Sequence, residues 1–148
     1  MNRINEWNFS VLGIPKAQPR IKAARGGGWR PIIYTPGTAN EWKAEVSRAA
    51  LQAMEGASLP IGTGVEVGLV FLMPRPKRLE RRDTITLCDV PHLAKPDIDN
   101  LEKAVLDALK KAGIYVDDAQ VFLVHKGKFY ADFGEMPGAR ITVVQYGE

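Results

Sequence analysis

A chain of 148 residues can bury one substantial core but not two comfortable ones, so a single domain over residues 1–148 is expected. Hydrophobic residues at 45% and charged residues at 25% are ordinary for a globular protein, and no apolar run reaches the length of a membrane span, so no membrane partner is expected. The opening stretch MNRINEWNFSVLGIP lacks a continuous apolar segment with a cleavage site, and Cys88 is the single cysteine. These features exclude a secretory signal, a disulfide framework and a cysteine-based zinc site, and they fit a reducing cytoplasm.

Residues 7–14, WNFSVLGI, predict a first strand stopped by Pro15. PKAQPRIKAARGGGWRPIIYTP then predicts a long basic hairpin, with Gly26, Gly27 and Gly28 near its tip and Pro31 to Tyr34 returning. No Gly-Lys-Ser/Thr follows those glycines and no helix starts there, so they are not a phosphate loop. From Thr38 to Met54, residues Trp42, Val46, Ala49, Ala50 and Ala53 recur at helical spacing, and Gly56 ends the run. Residues 65–74, VEVGLVFLMP, predict a central strand ending at Pro74. Residues 75–94 show no period and predict a loop. In the second helix Leu101, Ala104, Val105, Ala108, Leu109 and Ala112 step by three and four, with Gly113 at the position of a C-terminal cap. VFLVHKGKFYADF and ARITVVQY supply two closing strands. This order predicts an α+β fold with two main helices packed on a mixed sheet.

Charge is unevenly placed along a chain of net charge +3 and pI near 9.1. Between Glu6 and Glu41 there is no acid, while Lys16, Arg20, Lys22, Arg25 and Arg30 all fall there. A second basic segment, PRPKRLERR, holds Arg75, Lys77, Arg78, Arg81 and Arg82 against Glu80. Both carry Pro or Gly and read as exposed arms rather than helix faces. From Lys95 to Gln120 the balance reverses: Asp97, Asp99, Glu102, Asp107, Asp117 and Asp118 face Lys95, Lys103, Lys110 and Lys111. Two basic arms flanking an acidic centre suit a polyanion held while metal ions act on it.

The acids have ordinary structural readings. Asp99 or Asn100 can cap the helix, Glu102 suits its dipole, and Asp117-Asp118 can be a polar turn. Capping needs one acid, however, and alternation along an extended entry would turn both Asp97 and Asp99 to one side. The stripe of Leu101, Val105 and Ala108 puts Lys103 and Asp107 on the opposite side of the helix, with Asp99 and Lys103 able to approach across its first turn. Carboxylates gathered beside a lysine are costly unless cations neutralise them, and oxygen ligation favours Mg²⁺ or Mn²⁺ over zinc. An EF-hand is excluded, since Leu101, Glu102 and Ala108 stand at its fifth, sixth and twelfth positions. A sugar-nucleotide transferase is too large for this length. The residues alone therefore point to Mg²⁺-dependent phosphodiester chemistry.

KPDIDNLEKAVLDALKKAGIYVDDAQV closely resembles the signature of the RusA-type Holliday junction resolvases of bacteria and their prophages. GIPKAQPR, the YTP at 34–36 and Pro137-Gly138 before the last strand support the likeness, whereas residues 75–94 are longer than a minimal member requires. The resemblance implies a homodimer that binds four-way DNA junctions and makes paired nicks with Mg²⁺, or Mn²⁺ in its place, during recombination and repair. It implies catalytic acids at Asp97, Asp99 and Asp118, an essential lysine at Lys103, and the adjacent Asp117 as a further metal ligand. Metal ions held there would lower the pKa of water and shield charge, one ion or two, and Lys103 would hold the attacking water or stabilise the transition state.

Lys16, Arg20, Lys22, Arg25, Arg30, Arg78, Arg81 and Arg82 are the expected phosphate contacts. The apolar strands 65–73 and 121–124 are the candidate dimer interface. His125 reads as a structural or surface residue, His92 as a possible DNA contact, Trp7 and Trp42 as core, and Trp29 as a base-stacking candidate. Two alternatives stand beside this reading: a DNA-binding accessory protein that has lost cleavage, and a nuclease for branched DNA in general.

Overall fold

The computed structural model describes residues 1–25, 30–79, 90–132 and 134–147. The glycine tip with Trp29, and Arg81, Arg82 and Cys88, lie outside the described residues. In chain order the elements are β1 (Asn2–Leu12), β2 (Lys22–Arg25), β3 (Pro31–Tyr34), α1 (Asn40–Ala53), β4 (Val65–Met73), α2 (Ile98–Lys111), β5 (Val121–Tyr130) and β6 (Gly138–Gly147). Short 3₁₀ turns stand at Lys77–Leu79 and Asp118–Gln120.

Four strands form a mixed sheet in the order β1-β6-β4-β5. β4 and β5 are parallel, and the β1–β6 and β4–β6 pairs are antiparallel. A parallel pair needs a crossover, and α2 supplies it. Val65, Val67, Leu69, Phe71 and Met73 of β4 alternate onto one face, where they meet Val46 and Ala50 of α1 and Leu101, Val105, Ala108 and Leu109 of α2. The fold is α+β, as its element order predicts.

Several boundaries differ from the sequence reading. β1 begins at Asn2 rather than residue 7, because polar residues suit an edge strand whose outward side chains need no apolar period. It ends at Leu12, where Gly13 turns with φ +127. At the β1–β6 crossing a Cβ on Gly138 would lie 2.2 Å from the Val11 carbonyl oxygen, so the approach of these strands requires glycine there. The β4 side chains that face the helices are spent on the core, while Gly68 and Val70 remain partly exposed. Phe122 and Leu123 on the edge strand β5 are exposed, so residues 121–124 remain available.

The basic segment forms the expected hairpin. β2 and β3 pair from Lys22↔Tyr34 to Arg25↔Pro31 as a sheet of their own. Ile32, Ile33 and Tyr34 on β3 are exposed.

Candidate active site

Asp97 is the N-cap of α2, extended at φ −68 and ψ 143, and Ile98 is the first helical residue. The cap expected at Asp99 or Asn100 is thus two or three residues too late. Pro96 ends the extended entry, and Ile98 already packs against the core, so the helix starts as soon as it can bury an apolar side chain. Asp99 falls inside the first turn, where the helix dipole favours a carboxylate. Extended alternation therefore does not explain the pair, yet both aspartates border one cleft of about 760 Å³, together with His92, Lys95 and Lys128.

Lysines organise that cleft. Lys95 Nζ donates to both oxygens of Asp97 at 2.8 and 3.0 Å. This contact, with the charges of Lys95, Lys128 and Arg20, holds the Asp97 carboxyl below the ordinary carboxylate range. Lys128 Nζ donates to the carbonyl oxygens of Ala94 at 2.6 Å and Pro96 at 2.7 Å, pinning the turn that delivers Asp97. Burial draws the Lys128 ammonium below its usual pKa, and Asp97 opposes the shift. Burial also lowers His92, with Lys128 adding to the effect.

The far end of α2 places the second acidic pair. Gly113 at φ +80 donates to the Lys110 carbonyl at 2.9 Å, and Ile114 N–H reaches the Leu109 carbonyl at 3.1 Å. These are the paired bonds of a Schellman cap. Gln120 then fixes the Asp-Asp turn: its amide oxygen accepts from Val116 and Asp117 N–H at 2.9 Å, and its amide nitrogen donates to Ile61 and Thr63 carbonyls at 2.7 and 3.0 Å. Asp117 Oδ1 caps the turn by accepting from Ala119 N–H at 2.8 Å. Asp118 is left free of capping duties and lies 3.4 Å from Lys110 Nζ.

Asp118 shares a cleft of about 360 Å³ with Lys103, Asp107, Tyr115 and Gln18. Tyr115 donates to the Leu106 carbonyl at 2.7 Å, and burial raises its pKa, with the charges of Asp118 and Asp107 adding to the rise. Asp107 is not turned to open solvent as helical spacing alone suggests. It accepts from Lys43 of α1 at 2.6 Å and stands 3.1 Å from Lys111. Burial pushes its carboxyl up, but the hydrogen bonds from Lys43 and Lys111 outweigh that and hold it below the usual range.

The chain therefore brings Asp97 to Asp99 and Asp118 to Lys103, in two clefts along one helix. Among the described residues no group of three or more acidic, histidine or cysteine side chains is gathered to hold a metal, and Asp99 and Lys103 form no ion pair. The donors still suit a hard divalent cation, since Mg²⁺ is commonly held by one or two carboxylates with waters and substrate phosphates completing its shell. In the Asp118 cleft Gln18 lies beside Lys103 and Tyr115, and its amide oxygen is buried with no hydrogen-bond partner among the described residues. Sequence reading passed over Gln18, Gln120 and Lys128, because an amide or a strand lysine carries no pattern until its neighbours are known.

Positive charge surrounds this surface. Lys16 lines a further cleft of about 490 Å³ with His92, Lys95 and Pro96, and Arg20 is close enough to act on Asp97. Lys22, Arg25, Arg30 and Arg78 are exposed. His125 lies away from the acids, on the outer face of the sheet, with its Nε2 3.2 Å from Glu66. Trp42 is buried in the core and Trp7 packs against it.

The family described as Endodeoxyribonuclease RusA matches residues 13–144. A crossover junction endodeoxyribonuclease of Enterobacteria phage 82 is 43% identical over 60 residues, 40% of this chain and 42% of that protein. That of Escherichia coli K12 is 44% identical over 57 residues, 38% of this chain and 40% of that protein. The matched stretch thus spans about two fifths of these relatives. A crossover junction endodeoxyribonuclease of Aquifex aeolicus is 24% identical over 123 residues, 83% of this chain and 79% of that protein.

Proposed function

The chain belongs to the RusA endodeoxyribonuclease family, and on that premise we propose that it resolves four-way DNA junctions. In this reading it is a homodimeric, Mg²⁺-dependent endodeoxyribonuclease making paired nicks in recombination and repair, with Mn²⁺ able to replace Mg²⁺. The observation that carries the reading is the placement of Asp97 and Asp99 in one cleft at the start of α2 and of Lys103 and Asp118 in a second cleft along it, with Lys16, Arg20 and Lys95 near the first.

Asp97 and Asp99 in one cleft and Asp118 in the other would supply the carboxylates for divalent cations, with Asp117 beside Asp118 keeping one oxygen on the turn it caps. A bound divalent ion supplies charge neutralisation at the phosphate and a lowered pKa for water. The chain's own residues do the rest. Lys103, with no ion pair among the described residues, is free to face charge developing on the phosphate. Lys16 and Arg20 contact backbone phosphates and hold the strand over the clefts, and exposed Lys22, Arg25, Arg30 and Arg78 extend that contact. Arg81 and Arg82, outside the described residues, belong to the same proposal by their charge.

Incubating the purified protein with labelled four-way junction, fork and duplex, each with Mg²⁺, Mn²⁺ or EDTA, tests the reading. Symmetrical cuts confined to the four-way junction and lost in EDTA are expected. Equal cutting of forks would widen the substrate to branched DNA in general, and binding without cleavage would leave an accessory protein.

A further inference from the structure

At 90% exposed, Leu93 is the most exposed large apolar side chain among the described residues. A single exposed leucine on a loose loop needs no explanation. Leu93 is mounted differently. Just before it, the chain adds itself to the open edge of β5. Pro91 bridges Phe129 antiparallel, His92 N–H donates to the Lys128 carbonyl at 3.0 Å, and Tyr130 N–H donates to the Val90 carbonyl at 3.2 Å. The His92 ring meets the Tyr130 ring edge-on, with centroids 5.0 Å apart. Just after Leu93, Lys128 Nζ donates to the carbonyls of Ala94 and Pro96. Backbone fixed on both sides thus holds the leucine out, on the border of the cleft of Asp97 and Asp99. Lys95 and Lys128 border the same cleft.

We infer that Leu93 is a specificity-determining residue for branched DNA, its side chain covering a base face at the branch point while the adjoining phosphate lies in the Asp97–Asp99 cleft. In continuous duplex each base face is already covered by its neighbour, and an apolar side chain enters only by unstacking a step at a cost in free energy. At a branch point stacking is interrupted, and a base face is open without that cost. A leucine on a stiff mount therefore strengthens junction binding and leaves duplex binding alone. The lysines beside it contact phosphates of either DNA and cannot discriminate. Nucleic acid suits this place better than a protein partner, because the apolar surface is one side chain wide and set among charges, whereas a protein interface needs a broad apolar centre. The inference rests on the proposed action on four-way junctions.

The test is competitive gel shift in EDTA, so that no strand is cut, on a four-way junction and a duplex of the same sequence. The wild type should prefer the junction. Leu93→Ser should lower that preference by about tenfold, the low end for burying a leucine side chain, with duplex affinity unchanged. Leu93→Met, which keeps an apolar side chain of similar size, should recover most of the preference. The melting temperature of Leu93→Ser should match the wild type, because so exposed a side chain adds nothing to the core. Leu93→p-benzoylphenylalanine should crosslink on irradiation to nucleotides at the branch point. Wild-type preference in Leu93→Ser would overturn the inference, as would equal weakening on duplex, a melting temperature several degrees lower, or crosslinking to a second protein copy. The two levels fail differently. If the wild type prefers the junction and Leu93→Ser does so equally, the Leu93 inference fails and the junction reading stands. If the wild type itself shows no preference, the junction reading fails and Leu93 falls with it.

Discussion

Lys43 Nζ lies 2.6 Å from Asp107 Oδ2, joining α1 to α2 beneath the cleft that holds Asp118. The lysine side chain is only 9% exposed, so its charge depends on this partner. Asp107→Ala would leave that ammonium buried, a loss of 3–5 kcal/mol for a fully buried pair and roughly 2 kcal/mol here, since the aspartate is partly solvated. Lys43→Met, which removes the charge and keeps the volume, should be close to neutral. Urea unfolding midpoints distinguish the two. Equal destabilisation by both would mean that packing, not charge, joins the helices.

The same pair sets an acid limit. Asp107 titrates below its unfolded value of about 3.9. The unfolded chain therefore binds more protons in that range, and stability rises with pH there. The contribution is complete above the unfolded pKa and is lost as pH falls through the folded one. Stability measured from pH 6 down to pH 2 should fall less steeply in Asp107→Asn than in the wild type. Parallel curves would remove Asp107 from the acid response.

Asp97→Asn, Asp99→Asn and Asp118→Asn should each reduce cleavage by about a hundredfold or more, the scale on which electrostatic groups act at a transition state. Junction binding should be largely retained, because the arms are untouched. Asp118 is exposed and, among the described residues, paired only with Lys110 at 3.4 Å, so its loss should leave the melting temperature nearly unchanged. Gel shift, cleavage rate and melting on each variant check this. Near-normal cutting by all three would move the active site elsewhere.

The two helices, the hairpin and the acidic motif were legible in the sequence because they have local causes. Leu101, Val105 and Ala108 repeat at helical spacing, and Gly113 ends the run with a positive φ. β1 was legible only from Trp7 onward, since its first residues are held by pairing with β6 and carry no apolar period. The cap of α2 was misplaced because the burial of Ile98 decides where the helix starts, and burial is not a local property. Asp107 read as an outward acid because Lys43 is distant in sequence and adjacent only in space. Gln18 and Lys128 were invisible for the same reason.

Lys128 offers a test of positioning. Lys128→Met removes the donor to the Ala94 and Pro96 carbonyls and frees the turn that carries Asp97. Those carbonyls regain water in part, so stability should fall by about 1 kcal/mol, the low end for a lost partner. Cleavage should fall more than tenfold, as expected when the support of a ligand is removed. Lys128→Arg should recover part of the rate. Full activity in Lys128→Met would show that Asp97 needs no support from β5.

Neutralising Arg20, Lys22 and Arg25 together should weaken DNA binding and flatten its salt dependence. Each lost phosphate contact lowers the slope of log K against log salt by about 0.9 on duplex DNA. Arg20 should contribute most, because its charge reaches Asp97 and so lies nearest the reacting strand. An unchanged slope would make the hairpin a solvated surface. Arg78→Ala tests the second arm in the same assay.

Paired nicking requires two sites, and one chain offers a single set of acids. Two copies about a two-fold axis would place the second set on the opposed strand before the junction dissociates. Phe122, 53% exposed, and Leu123 stand on the edge strand β5. An exposed apolar edge is an open template for another chain. The protein should therefore sediment as a dimer at micromolar concentration, and Phe122→Glu with Leu123→Glu should shift it to monomer. On a cruciform plasmid the wild type should yield linear DNA within one binding event, and the double variant nicked circles. Monomeric wild type with nicked circles as the lasting product would exclude paired resolution and leave a metal-dependent nickase. A dimeric double variant would instead move the interface to the exposed β2–β3 hairpin, where Ile32 and Ile33 present the next apolar surface.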